Sequence, residues 1–335
     1  MKSNQVKRNS NIELLRFILM LMICIWHTMV YGYDLKNMGS GPVPSINNIF
    51  LMGACVPAVD VFIMISGYYG IKLSASKLFR LVFQIRIITN SIIFVRFFCY
   101  NGSLSFYDQV LPISSGITLW FVSIYVVIML LSPIINAGID GVDSKVLGKV
   151  IVLLFFIYSI VQYRLGMEGT NLITLFLIYL LGRYLKKVRF SMSVVCSLCL
   201  WIISMIIILS LMFYQYFNGS YSRIWILLSY NNPIVIMKAM SIFFLFQSLK
   251  RTYLQDDICC FWGRHSLSIY LISEMIGCVL YIYWAQLLKS NSLIYLIAIV
   301  IFAFLCETVD IFVLKISKSL STLTVNLLER VNVLF

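Results

Sequence analysis

Ten ionisable side chains sit inside long apolar runs of this sequence: Glu13, Arg16, His27, Asp60, Arg86, Arg96, Lys238, Glu274, Glu307 and Asp310. A charged group within a bilayer helix costs on the order of 3 kcal/mol on insertion scales, so each one marks a candidate site. Arg16 and His27 are the informative pair. They are eleven residues apart, close to three helical turns, so both project from one face with about 16 Å between them along the axis. Such a stripe suits a pore that holds an anionic head at Arg16 and does proton chemistry deeper in, at His27. A lone histidine in an apolar helix is also a common packing residue. Its alignment with a cation is what favours chemistry.

Asp60 falls near mid-membrane in the next apolar run, at a depth His27 can reach from a neighbouring helix. Beside the imidazole it would orient the ring and stabilise its protonated form. As a structural partner of Arg86 or Arg96 it would do neither, and both readings stay open. Lys77 and Arg80 lie at the inner mouth of the third run, with Arg86 one to two turns further in. Lys77 has the ordinary explanation of a cytoplasmic-side cation; Arg86 is too deep for that and needs a partner or an anionic ligand. Glu13 and Arg16 have the spacing of a local ion pair. Arg96 and Lys238 are near enough to span ends to snorkel.

The elements that carry these residues must be membrane helices. Of 335 residues, 61% are hydrophobic and 12% charged, and the mean hydropathy is +0.94. That composition excludes a soluble domain and a disordered chain, and 6 prolines with 17 glycines are too few for a turn-dense barrel. A crossing needs about 20 apolar residues. Ten stretches qualify, near 12–32, 47–71, 78–99, 117–137, 146–163, 170–185, 192–213, 231–249, 266–288 and 293–315. The second is long enough to tilt or to break at Pro57 or at Ser66-Gly67. The first lacks a small-residue cleavage site after its apolar run and reads as a retained span rather than a signal peptide. The predicted fold is therefore an all-α, polytopic transmembrane bundle of about ten helices in a single membrane-embedded domain over residues 1–335.

The net charge of +13 is accounted for by the same topology. With both termini cytoplasmic, 18 of the 26 Lys and Arg residues fall on the cytoplasmic side and four on the other, the asymmetry expected of a membrane protein. No basic face or motif for nucleic acid accompanies it. The nine cysteines lie mostly in apolar runs, and Cys196 and Cys199 have no histidine partners, so they read as small hydrophobes rather than a disulfide framework or metal site. Connections near 100–116 and 214–230 are too short to fold as domains, which leaves the chemistry in or at the rim of the bundle.

The first span, Asn11-Ile12-Glu13-Leu14-Leu15-Arg16 through His27, resembles the opening Arg-(ten residues)-His motif of the acyltransferase-3 integral membrane family. The resemblance continues in order. Asp60 to Tyr68 is similar to that family's Asp-x-Phe-Phe-x-x-Ser-Gly segment, and Lys77 to Arg80 to its Arg-x-x-Arg. Leu119-Trp120-Phe121-Val122 with Ser132-Pro133, Tyr179 to Tyr184, and Ser266 to Ile272 also fit. The chain departs from many relatives at Tyr125, where they carry glutamate, and at Ser273-Glu274, where they carry histidine. These departures resemble the branch that acetylates surface polysaccharides, rather than the longer branch with an added esterase-like domain.

The resemblance implies transfer of an acyl group, usually acetyl, from acetyl-CoA in the cytoplasm to a hydroxyl of a polysaccharide or its lipid-linked oligosaccharide precursor in a bacterial plasma membrane. It implies His27 as general base with Asp60 beside it, and Arg16, Lys77, Arg80 and Arg86 on the CoA phosphates. Ser66, Trp120 and Glu274 are the expected acceptor-side residues. No metal is expected, and a homodimer is compatible with such a bundle. Direct transfer in a ternary complex is the expected route, with a covalent acyl-His or acyl-Ser66 intermediate left open. A transporter or flippase of lipid-linked sugars is the alternative, because intramembrane charges serve substrate pathways too.

Overall fold

The computed structural model describes residues 9–38, 43–100, 119–165, 170–250 and 253–330. Among these the regular structure is helical, with no strand. The first apolar run forms α1 (Ser10–His27), whose Asn9 cap accepts a hydrogen bond from the Asn11 amide. Glu13 sits in its first turn, where a carboxylate complements the positive end of the helix. After His27 the helix widens without a break into a π-helical turn, Thr28–Gly32.

The second run is two helices, α2 (Ile46–Cys55) and α3 (Ala58–Tyr69). Pro57 separates them because it has no N–H to continue the ladder and its ring clashes with the preceding turn. Then come α4 (Ala75–Tyr100), α5 (Trp120–Gly141), α6 (Ser144–Leu165), α7 (Leu172–Lys187), α8 (Val194–Phe217), the short α9 (Tyr221–Leu227) and α10 (Pro233–Ser248).

The expected ninth span, 266–288, is not one helix. It belongs to α11 (Tyr253–Ile276) and α12 (Cys278–Ser290), which are bent by 99°. Gly277 makes the corner with φ of 69°, a left-handed conformation that glycine adopts without steric cost. The last run, α13 (Ser292–Arg330), continues well past the expected end at 315. Among the described residues, and counting α2 with α3 as one, seven helical spans are long and apolar enough to cross a bilayer, or eight if α11 and α12 count as one broken span. Helices α7 and α10 have 16 residues each, fewer than a perpendicular crossing needs. Lys2, Lys7, Arg8, Arg251 and the connection from 101 to 116 lie outside the described residues, as do the side chains of Arg96 and Arg164.

Helix α1 lies at the centre, packed along α11 and also touching α2, α3, α10 and α13. Glu13 packs on Gly263 and His27 meets Glu274, so α1 and α11 run in the same direction. The rim is apolar: α6, α8 and α13 turn Phe156, Val195, Ile206, Leu305 and Phe312 outward, as helices facing lipid do. The polar side chains are inside. Asp60, Lys238, Glu274, Glu307 and Asp310 are all buried.

Candidate active site

His27 is the last residue of α1, and its ring is nearly enclosed. Nδ1 lies 2.6 Å from Oε1 of Glu274, whose side chain is only 5% exposed. The same oxygen accepts the Tyr281 hydroxyl at 2.8 Å, and that hydroxyl oxygen lies 3.1 Å from Nδ1. A carboxylate only accepts, so the contact with Glu274 places the ring proton on Nδ1. Nε2 then keeps its lone pair for a substrate. This is the arrangement of a general base oriented by an acid.

Three elements hold that geometry. The π-helical turn after His27 is of a kind often found at functional sites, and it lays Gly32 directly on α12. A Cβ at Gly32 would overlap the Tyr281 carbonyl, so only glycine permits this approach. The bend at Gly277 turns α12 back over α1, which carries Tyr281 to the carboxylate supplied by α11. Tyr31 stacks on Tyr281 with centroids 5.7 Å apart and flanks the imidazole at 5.4 Å, closing one side of the ring.

The other side opens on a narrow cleft. His27 lines it together with Met20, Ile23 and Trp26 of α1, Cys55, Val56, Ala58 and Val59 around the α2–α3 break, and Trp120, Phe121, Tyr230 and Tyr270. Trp120 stacks on Tyr230 at 6.1 Å. An imidazole on an aromatic, largely apolar wall has little competition from water for a proton. Along α1 the cleft lining stops at Met20, one turn short of Arg16. The continuous tunnel expected from the Arg16–His27 stripe is therefore not formed by this cleft.

The expected site residues are placed as follows. His27 and Trp120 share the cleft, and Glu274 is the carboxylate on the imidazole. Asp60, expected in that role, makes no hydrogen bond or ion pair with His27. It sits in the first turn of α3, fully buried, and neither of its carboxylate oxygens has a hydrogen-bond partner among the described residues. Ser66 donates its hydroxyl to the Phe62 carbonyl one turn back, at 3.0 Å. Arg16 forms the local ion pair its spacing suggested, Nη1 to Glu13 Oε1 at 3.2 Å. Its side chain remains 27% exposed. On α4, Lys77 is exposed while Arg80 and Arg86 are half-buried. Both α1 and α4 pack on α11.

Sequence reasoning missed Tyr281, whose approach depends on the Gly277 bend, and the second histidine. His265 Nδ1 lies 2.8 Å from Asp310 Oδ2, and Gln84 donates to Asp310 Oδ1 at 2.7 Å. The three tie α11, α13 and α4 together. Gln84 lies one turn beyond Arg80 on α4, so this buried network anchors the helix that carries the cations. A histidine at 265 with carboxylates at 307 and 310 was the available signal, but the pairing of their helices was not. Lys238, expected to snorkel, is 1% exposed and donates to the Gly53 carbonyl.

A family model described as an acyltransferase domain, that of the acyltransferase-3 family, matches residues 9–309. No curated protein and no solved structure gives a significant match. The family match runs from the cap of α1 into α13 and includes every residue of the His27 site. The chain is a multi-pass membrane protein and belongs to the acyltransferase-3 family of acyltransferases.

Proposed function

We propose that the protein is an O-acetyltransferase that moves the acetyl group of cytoplasmic acetyl-CoA to a hydroxyl of a bacterial surface polysaccharide or its lipid-linked repeat unit, in the plasma membrane. The observation that carries this reading is the His27–Glu274–Tyr281 cluster, engaged through Nδ1 of a histidine that lines an aromatic cleft. Nε2 removes the hydroxyl proton as the oxygen attacks the thioester carbonyl. The carbon–sulfur bond breaks, and the imidazolium returns the proton to the departing thiolate. Glu274 stabilises the imidazolium between the two steps. Trp120 and Tyr230 offer flat faces to a sugar ring, while Arg16, Lys77, Arg80 and Arg86 supply cations for the phosphates of CoA.

Transfer is favoured over the flippase alternative by the imidazole–carboxylate pair, a general-base arrangement that transport does not need, and by the match to an acyltransferase family. The test is NMR of the host's surface glycan with the protein, without it, and with His27→Ala. Acetyl signals should vanish in the last two while the glycan is still exported. Unchanged acetylation with His27→Ala would overturn the mechanism, and loss of export would favour transport.

A further inference from the structure

The break in the second span leaves backbone groups without their helical partners, the Gly53 carbonyl among them. In a continuous helix the Gly53 carbonyl would accept the amide of residue 57, but residue 57 is proline and has no N–H. The carbonyl accepts Nζ of Lys238 instead. Lys238 reaches it from α10 across the bundle, with Nζ also 2.9 Å from the Met205 sulfur of α8. It is 1% exposed and forms no ion pair among the described residues. A lone ammonium buried at this depth is costly, and the local geometry gives it a specific task.

The electrostatics of the break agree. The end of α2 is the negative end of a helix dipole and receives the ammonium. The start of α3 is a positive end and carries Asp60 in its first turn. From the chain between them, Cys55, Val56, Ala58 and Val59 form part of the wall of the cleft beside His27. Unwound segments between two half-helices are where membrane proteins bring backbone to a substrate.

We propose that Lys238 is a positioning residue for the transfer reaction: by capping Gly53 it keeps the second span broken at Val56-Pro57, so that this wall stays shaped to the reacting groups at His27. The consequence for transfer rests on the acetyltransferase reading; the cap itself does not. Three full-length variants separate the two: Lys238→Met, Pro57→Ala, and both together. Pro57→Ala restores an amide at 57, so the Gly53 carbonyl no longer needs the ammonium.

Amide hydrogen exchange over Ala58 to Asp60 reads the break directly, since first-turn amides have no partner in a broken span and gain one in a continuous helix. Acetyl transfer in membranes reads its effect. Lys238→Met should reduce transfer by about tenfold or more, a loss of the size that small misplacements of reacting groups cause. The double variant should recover thermal stability and show slowed exchange, yet remain poor in transfer because the wall has closed into a helix. A purely structural lysine would instead give a double variant that regains stability and transfer together, which would overturn the proposal. Wild-type exchange and transfer in Lys238→Met would overturn it as well. Absence of transfer in the wild type itself would refute the acetyltransferase reading and leave the cap to be decided by exchange.

Discussion

Glu274→Gln removes one charge from the His27 cluster and almost no volume, which makes it the sharpest probe of the site. The carboxylate accepts two hydrogen bonds on one oxygen, from Nδ1 at 2.6 Å and from the Tyr281 hydroxyl at 2.8 Å. Glutamine can still accept both, so the fold should hold. What disappears is the attraction between the carboxylate and the imidazolium formed during transfer. The two side chains are only 11% and 5% exposed, so solvent screening is slight. For unit charges about 4 Å apart at an effective dielectric of 20, the loss is about 4 kcal/mol. That corresponds to a fall in kcat of about a thousandfold. If the amide turns its NH2 toward Nδ1, the ring takes the wrong tautomer and the loss is larger. The assay is transfer of labelled acetyl from acetyl-CoA to glycan in membrane vesicles, with expression and thermal stability as controls. A kcat within about threefold of wild type, too small a change for a lost charge pair, would show that Glu274 is not the electrostatic partner of His27.

Tyr281→Phe should cost much less, about tenfold in kcat, since it removes one hydrogen bond to a carboxylate that keeps its charge. Gly32→Ala places a Cβ on the Tyr281 carbonyl and should destabilise the protein by about 1–3 kcal/mol, as overpacking does. It should also depress transfer by moving α12, and a variant with wild-type melting temperature and activity would contradict the close approach. Arg16→Ala should act on the donor, raising the apparent KM for acetyl-CoA by about tenfold or more through one lost charge-assisted contact. An unchanged KM would remove Arg16 from the CoA site.

Much of this arrangement was legible in the residues, and the illegible parts have a common cause. Composition and run length were enough to identify a helical membrane bundle, though not its number of spans. Of the two expected break points, Pro57 and Ser66-Gly67, the chain breaks at Pro57, because proline acts locally, while Ser66-Gly67 stays inside α3. His27, Glu274 and Asp310 stood out as charges in apolar runs. The partner of His27 did not, because helix depth is readable from numbering while helix neighbours are not. Asp60 and Glu274 both lie deep in apolar runs, and only the parallel packing of α1 on α11 brings Glu274 to the ring. The span expected at 266–288 hid the Gly277 corner, since a single glycine within an apolar stretch does not announce a left-handed φ. Lys238 illustrates the same limit: its partner is a carbonyl in α2 freed by a proline, 185 residues away in the chain.

The central claim is that Nε2 of His27 carries the transferred proton in acetyl transfer. Its most direct test is the initial rate of labelled acetyl transfer from acetyl-CoA to the surface glycan in membranes containing either wild type or His27→Ala at equal abundance. The proposed reaction predicts label on the glycan with wild type and background label with His27→Ala. Equal label in the two would contradict it.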